Sequence, residues 1–92
     1  MSMLSLESVP IPQPEVIGRV VDQEAVLVLP KQGKVKVLNE VGAAIWALLD
    51  GKRNIRQISA EICTQFDVET SVAEADTLQF IADLVERQVV HL

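Results

Sequence analysis

VLNEVGAAIWALLD (Val37–Asp50), followed by Gly51, decides how this chain is read. The block starts as a strand, turns at Asn39 and continues as an amphipathic helix. Asn39 suits a helix N-cap, because its side-chain oxygen can accept a hydrogen bond from a free N–H of the first turn. Val41, Ile45, Leu48 and Leu49 then share one face at the spacing of a core-facing helix. Gly51 can adopt the left-handed backbone that closes a helix, so the spacing predicts a first helix over about residues 40–50.

Upstream, Ile17–Val21 and Ala25–Leu29 read as short β-rich runs joined by Asp22, Gln23 and Glu24. Pro30–Gly33 is a second turn signal. Lys34-Val35-Lys36-Val37 alternates strictly, which predicts a third strand with both valines inward and both lysines outward. Together these form a three-stranded antiparallel meander. Pro10, Pro12 and Pro14 alternate and lack backbone donors, so residues 1–15 are expected to be a flexible, unpaired lead-in to a domain at 16–92.

Downstream, Asn54 with Gln57 has the spacing of a capping box, opening a second helix with a core face of Ile55, Ile58, Ile62 and Phe66. A third helix is expected to start near Thr70 or Ser71, Ser71 with Glu74 having the spacing of another such box, and to run to about Gln88. Its core face carries Thr77, Ile81, Leu84, Val85 and Gln88, the four apolar-bodied residues among them best placed for the core. Val89, Val90 and Leu92 are expected to dock as a short extended tail. Three strands followed by three helices describe a small α+β domain resembling a winged helix-turn-helix.

Composition sets the outer bounds. At 92 residues the chain makes one small domain, and with 49% hydrophobic residues but only 3% aromatics its core must be largely aliphatic. Cys63 stands alone, which excludes an internal disulfide and fits a reducing compartment. The start of the chain lacks the basic and apolar regions of a secretory signal, and no run is long enough to span a membrane, so a cytoplasmic location is expected. Neither a zinc-ligand cluster, a catalytic triad nor a glycine-rich phosphate loop is present, and neither catalysis nor a cofactor is expected. The net charge is −5. Glu74, Asp76, Asp83 and Glu86 crowd the third helix against Arg87, a poor surface for duplex DNA.

Leu38-Asn39, Asp50-Gly51, Lys52-Arg53, Ile55, Phe66-Asp67-Val68, Asp76 and Phe80-Ile81, in this order and spacing, resemble the pattern of the PqqD family across about residues 16–92. Those are small proteins of pyrroloquinoline quinone biosynthesis and their standalone relatives. Gln88 departs from the pattern, standing where relatives usually carry glycine. The resemblance implies a non-catalytic recognition element for ribosomally made, post-translationally modified peptides. Such a module binds the leader segment of a precursor peptide and presents it to a modifying enzyme, in the quinone pathway a radical S-adenosylmethionine protein. The leader would add as a strand to the sheet edge and lie against the third helix. In this chain the peptide-binding residues would be Lys34, Val35, Lys36, Val37 and Leu38 on the strand, and Asp76, Gln79, Phe80, Asp83 and Arg87 on the helix.

The residues by themselves leave alternatives open. Lys34 and Lys36 also suit the role of guarding an exposed strand edge. Phe80 also suits the core, and Asp76 and Asp83 a solvated helix face with Asp76 favoured near the helix start. Trp46 and Cys63 read as packing residues. A structural adaptor or homodimer using the same edge, without a peptide ligand, is the competing function. A DNA-binding winged helix ranks below both.

Overall fold

The computed structural model describes residues 4–92. Its elements in chain order are β1 (Ile11–Pro12), β2 (Ile17–Val21), β3 (Glu24–Leu29), β4 (Lys34–Leu38), α1 (Glu40–Ala47), α2 (Ile55–Phe66), α3 (Thr70–Glu86) and β5 (Val90–His91). The expected α+β architecture is present: β2, β3 and β4 form an antiparallel sheet in that order, and three helices follow. The β2–β3 connection is tight, with Val21 opposite Glu24 and Asp22 in the left-handed region at φ 57°. The β3–β4 turn closes through Gln32 N–H to Leu29 O and Gly33 N–H to Pro30 O.

The register of β4 corrects one expectation. Lys34, Lys36 and Leu38 lie opposite Leu29, Leu27 and Ala25, which are the buried residues of β3. The lysines and Leu38 therefore share the helix-facing side, and Val35 and Val37 point to the opposite face, each 62% exposed. The period-2 alternation is present, but its phase is set by Leu38, which is buried, and by the side-chain order of β3. The Lys36 side chain is largely covered while its ammonium pairs with Asp83 of α3, the division between stem and head common in long cationic side chains.

The core has two parts. Ala25, Leu27, Leu29 and Leu38 of the sheet pack with Ala43, Leu84, Val89 and Val90, and Trp46 leans on this cluster. Ile45, Ile55, Ile58, Ile62, Ala73 and Ile81 form the second, between the helices. Asn39 caps α1 by accepting from Gly42 N–H, as expected. The helix closes earlier than expected, at Leu48, so Gly51 is not its cap. Gly51 does take φ +75°, within a turn where the Asp50 carboxylate accepts from Lys52 and Arg53 N–H. Asn54 and Gln57 form the expected capping box of α2. Helix α3 starts at Thr70, the earlier of the two expected positions, but the second expected box is absent: Ser71 lies inside the helix, and Glu69 at its N-cap makes no side-chain cap bond.

Helix α3 also stops before Gln88. Val89 N–H bonds Leu84 O and Gln88 N–H bonds Val85 O, the paired bonds of a Schellman motif, with Gln88 left-handed at φ 63°. The described part of the lead-in, residues 4–15, is not unpaired. Ile11 and Pro12 pair with His91 and Val90, Gln13 N–H bonds Val89 O, and Ser8 O and Leu6 O accept from Ile55 and Arg56 N–H. The Leu6 and Ser8 carbonyls, just ahead of the prolines, satisfy the open start of α2.

Candidate functional site

Strands β2 and β4 are the two edges of the main sheet. The β4 edge lies beside α3, because Lys36 Nζ stands 3.5 Å from Asp83 Oδ2. An edge strand keeps a row of N–H and C=O groups with no ladder partner, the template on which an extended peptide can be added. Its run is five residues, Lys34 to Leu38, a span of about 17 Å at ordinary strand rise.

Helix α3 supplies the opposite wall. Asp76, Gln79, Phe80, Asp83 and Arg87 fall on one stripe of that helix, at spacings of three and four. Asp83 is the charge centre of the groove. It pairs with Lys36 across the gap, and along the helix it accepts from Arg87 Nε at 3.2 Å and 3.0 Å. Phe80 is half-buried and touches both parts of the core. It therefore serves as core residue and groove wall together. Its ring edge would lie 3.0 Å from a Cβ placed at Gly42, so the bare backbone of Gly42 is what lets α1 and α3 approach there.

At this end of the groove a shallow cavity of about 350 Å³ opens, lined by Asn39, Val41, Gly42, Ile45, Asp76, Gln79 and Phe80. The Val37–Asp50 stretch thus builds one wall of it. Val41 and Ile45 supply an apolar floor, and Asn39, Asp76 and Gln79 a polar rim. At the other end the side chain of Gln32, in the β3–β4 turn, donates to Arg87 O and ties the turn to the end of α3.

Of the expected site residues, the fold brings Lys36, Leu38, Asp76, Gln79, Phe80, Asp83 and Arg87 to this one groove or its walls, with Lys34 on the same side of β4. Val35 and Val37 lie on the strand but send their side chains away from α3, so only their backbones are available to the groove. Asn39, Val41, Gly42 and Ile45, which also line it, carry only cap and helix signals in the sequence. The early helix turn itself was the available signal, since a cap that follows a sheet-edge strand must stand at the end of that edge. Among the described residues no group of three His, Cys, Asp or Glu side chains could hold a metal ion, and no helix is long and apolar enough to cross a membrane.

Comparison with known proteins bears on this geometry. The family profile described as Coenzyme PQQ synthesis protein D (PqqD) matches residues 24–90. The PqqA binding proteins of Xanthomonas oryzae pv. oryzae strains PXO99A and KACC10331 are each 30% identical over 67 residues, covering 73% of this chain and 71% of theirs. The solution structure of the PqqD truncation of Methylobacterium extorquens PqqCD, described as a stand-alone recognition element for ribosomally synthesised and post-translationally modified peptides, superimposes with a TM-score of 0.82. It is 25% identical, with 97% of this chain and 95% of that one covered. TbiB1, solved in complex with the TbiA(beta) leader peptide, gives a TM-score of 0.81 at 26% identity over 88% of this chain and 94% of that one.

Proposed function

The chain belongs to the PqqD family, and from that premise we propose that it binds the leader segment of a ribosomally made precursor peptide by strand addition to β4. The observation that carries the proposal is the free β4 edge facing the α3 stripe, with a cavity at one end of the gap. Backbone groups of Lys34, Val35, Lys36, Val37 and Leu38 would pair with the peptide. Asp76, Gln79, Phe80, Asp83 and Arg87 would meet its side chains. Antiparallel addition is favoured, being slightly the more stable pairing per residue. The N-terminal part of the bound stretch then lies near Leu38 and the Phe80 cavity.

The role is non-catalytic: residues 16–92 act as a recognition domain that presents the peptide to a modifying enzyme in the cytoplasm. A radical S-adenosylmethionine protein is the enzyme class we assign, in pyrroloquinoline quinone biosynthesis or a related peptide pathway. The similarity to PqqA binding proteins and to a structure holding a leader peptide supports this reading.

The test is capture of peptides from the native host on immobilised domain, beside a variant with Lys34→Ala, Lys36→Ala and Asp83→Lys. Captured peptide is then titrated into isotope-labelled domain. We expect a short precursor peptide to be lost from the variant, and amide shifts confined to β4, the start of α1 and α3. Equal retention on both columns, or shifts centred on α2, would overturn the proposal. The exposed valines of β4 also suit pairing with a second copy. Light scattering over a concentration series separates the two, because the peptide-binding reading expects a monomer throughout.

A further inference from the structure

Beyond the Gln32 tether lies a second and larger cleft, of about 460 Å³. Its floor is apolar, built from Val16, Leu29, Val85 and Val90, and Lys31, Gln88 and His91 are among its rim. Segments from before β2, the β3–β4 turn, the end of α3 and the tail assemble it, and the binding geometry described above leaves it unused.

Two observations connect it to the peptide groove. Gln32 lines the cleft and at the same time bonds Arg87, the last residue of the α3 stripe, so the groove and the cleft share a wall. Gln88 holds the left-handed position that ends α3, where glycine would be free of strain, and the residue lines the cleft. A left-handed non-glycine residue in a cavity wall points toward a use for the side chain.

Strand parity sets what can reach the cleft. In an antiparallel added strand, side chains opposite Leu38, Lys36 and Lys34 fall on the helix side, and those between them on the outer face. Continuing that series past Lys34 brings the next helix-side position level with Gln32. Along α3, the centre of the first cavity and the end of the helix are about 13 Å apart at the ordinary helical rise. An extended chain covers that distance in about four residues, with a further two or so to round the tether.

We propose that this cleft is a second anchoring site for the same peptide, taking a bulky apolar side chain about six residues C-terminal to the one held against Phe80. The inference rests on the strand-addition reading and deepens it: the recognised class is a peptide with two apolar anchors on one side of an extended run. The stretch between the anchors passes the Lys36–Asp83 pair.

The experiment is a display selection of long random peptides on the whole immobilised domain, run in parallel on Gln13→Trp and Gln88→Gly. Gln13→Trp puts an indole into the cleft, and the backbone N–H of residue 13 still bonds Val89 O. Gln88→Gly removes the side chain of a cleft-lining residue and relieves the left-handed strain, so it is expected to raise the thermal midpoint, which excludes misfolding as the cause of any loss. Native domain should enrich peptides with paired apolar positions at the stated spacing. Gln13→Trp should keep the first preference, lose the second, and bind native-selected peptides on the order of tenfold more weakly, the loss of one buried apolar side chain. Gln88→Gly should relax the second preference. Enriched peptides with a single anchor, or affinities that Gln13→Trp leaves unchanged, would overturn the second site while strand addition stands. Failure to enrich any peptide would overturn the peptide-binding reading and the second site with it.

Discussion

Thr77 is fully buried on the core side of α3, and its hydroxyl has no hydrogen-bond partner. Thr77→Val replaces that hydroxyl by a methyl of nearly the same shape and leaves helix propensity almost unchanged. A buried polar group without a partner costs its desolvation, so the substitution should stabilise the domain by about 1–2 kcal/mol. For a domain of this size each kcal/mol moves the thermal midpoint by about 4–8 °C. Urea unfolding followed by circular dichroism should show a higher midpoint with an unchanged slope, since the surface exposed on unfolding hardly alters. Thr77→Ser provides the opposite arm. It keeps the orphaned hydroxyl and loses a buried methyl, so it should destabilise by about 1 kcal/mol. A neutral or destabilising Thr77→Val, or a buried water bonded to the hydroxyl in a crystal of the native chain, would refute the reasoning.

A Cβ at Gly18 would come within 2.5 Å of Trp46 Nε1, so Gly18→Ala should push the indole outward, red-shift the fluorescence of this lone tryptophan and cost about 1–3 kcal/mol. Unchanged emission would show that β2 yields instead of the ring. Lys36→Glu removes a part-exposed ion pair and puts a second carboxylate beside Asp83, so it should cost about 1 kcal/mol and turn a strand centre that accepts either charge into one that retains basic residues, read by sequencing of selected peptides. The N–H groups of Arg53 and Lys52 hold the Asp50 carboxyl below the usual aspartate range. Its contribution is therefore present above the unfolded-state pKa and lost as pH falls through the lower folded-state value. Asp50→Asn should flatten that part of the acid-unfolding curve, and an identical curve would assign the acid sensitivity elsewhere.

What could be read from residues alone was what neighbours in sequence decide. The Asn54–Gln57 box is made by residues three apart, and it forms as the pattern said. The α3 stripe follows from helical periodicity. The phase of β4 was not legible in Lys-Val-Lys-Val, because hydrophobicity alone puts the valines inside. The partner strand decides otherwise, since Ala25, Leu27 and Leu29 of β3 are the buried set. The pairing of Ile11–Pro12 was hidden for a related reason: its partner, Val90–His91, lies at the far end of the chain. Ser71 and Glu74 had box spacing but sit inside a helix that had already begun. The groove was half-visible, because its strand and helix could each be named. The second cleft was not, since four separate segments build it.

Asp83 faces two cations, Lys36 from the sheet and Arg87 from its own helix. A carboxylate shared in this way makes the middle of the groove a site of exchange. An acidic side chain arriving there can take over Lys36 while Asp83 keeps Arg87, and a basic one can displace Lys36 into solvent without leaving Asp83 uncompensated. Either swap trades one half-exposed ion pair for another, so the net gain is small. Charge at the centre of this groove is therefore tolerant, and discrimination between peptides falls to the shape of the cavities at its ends.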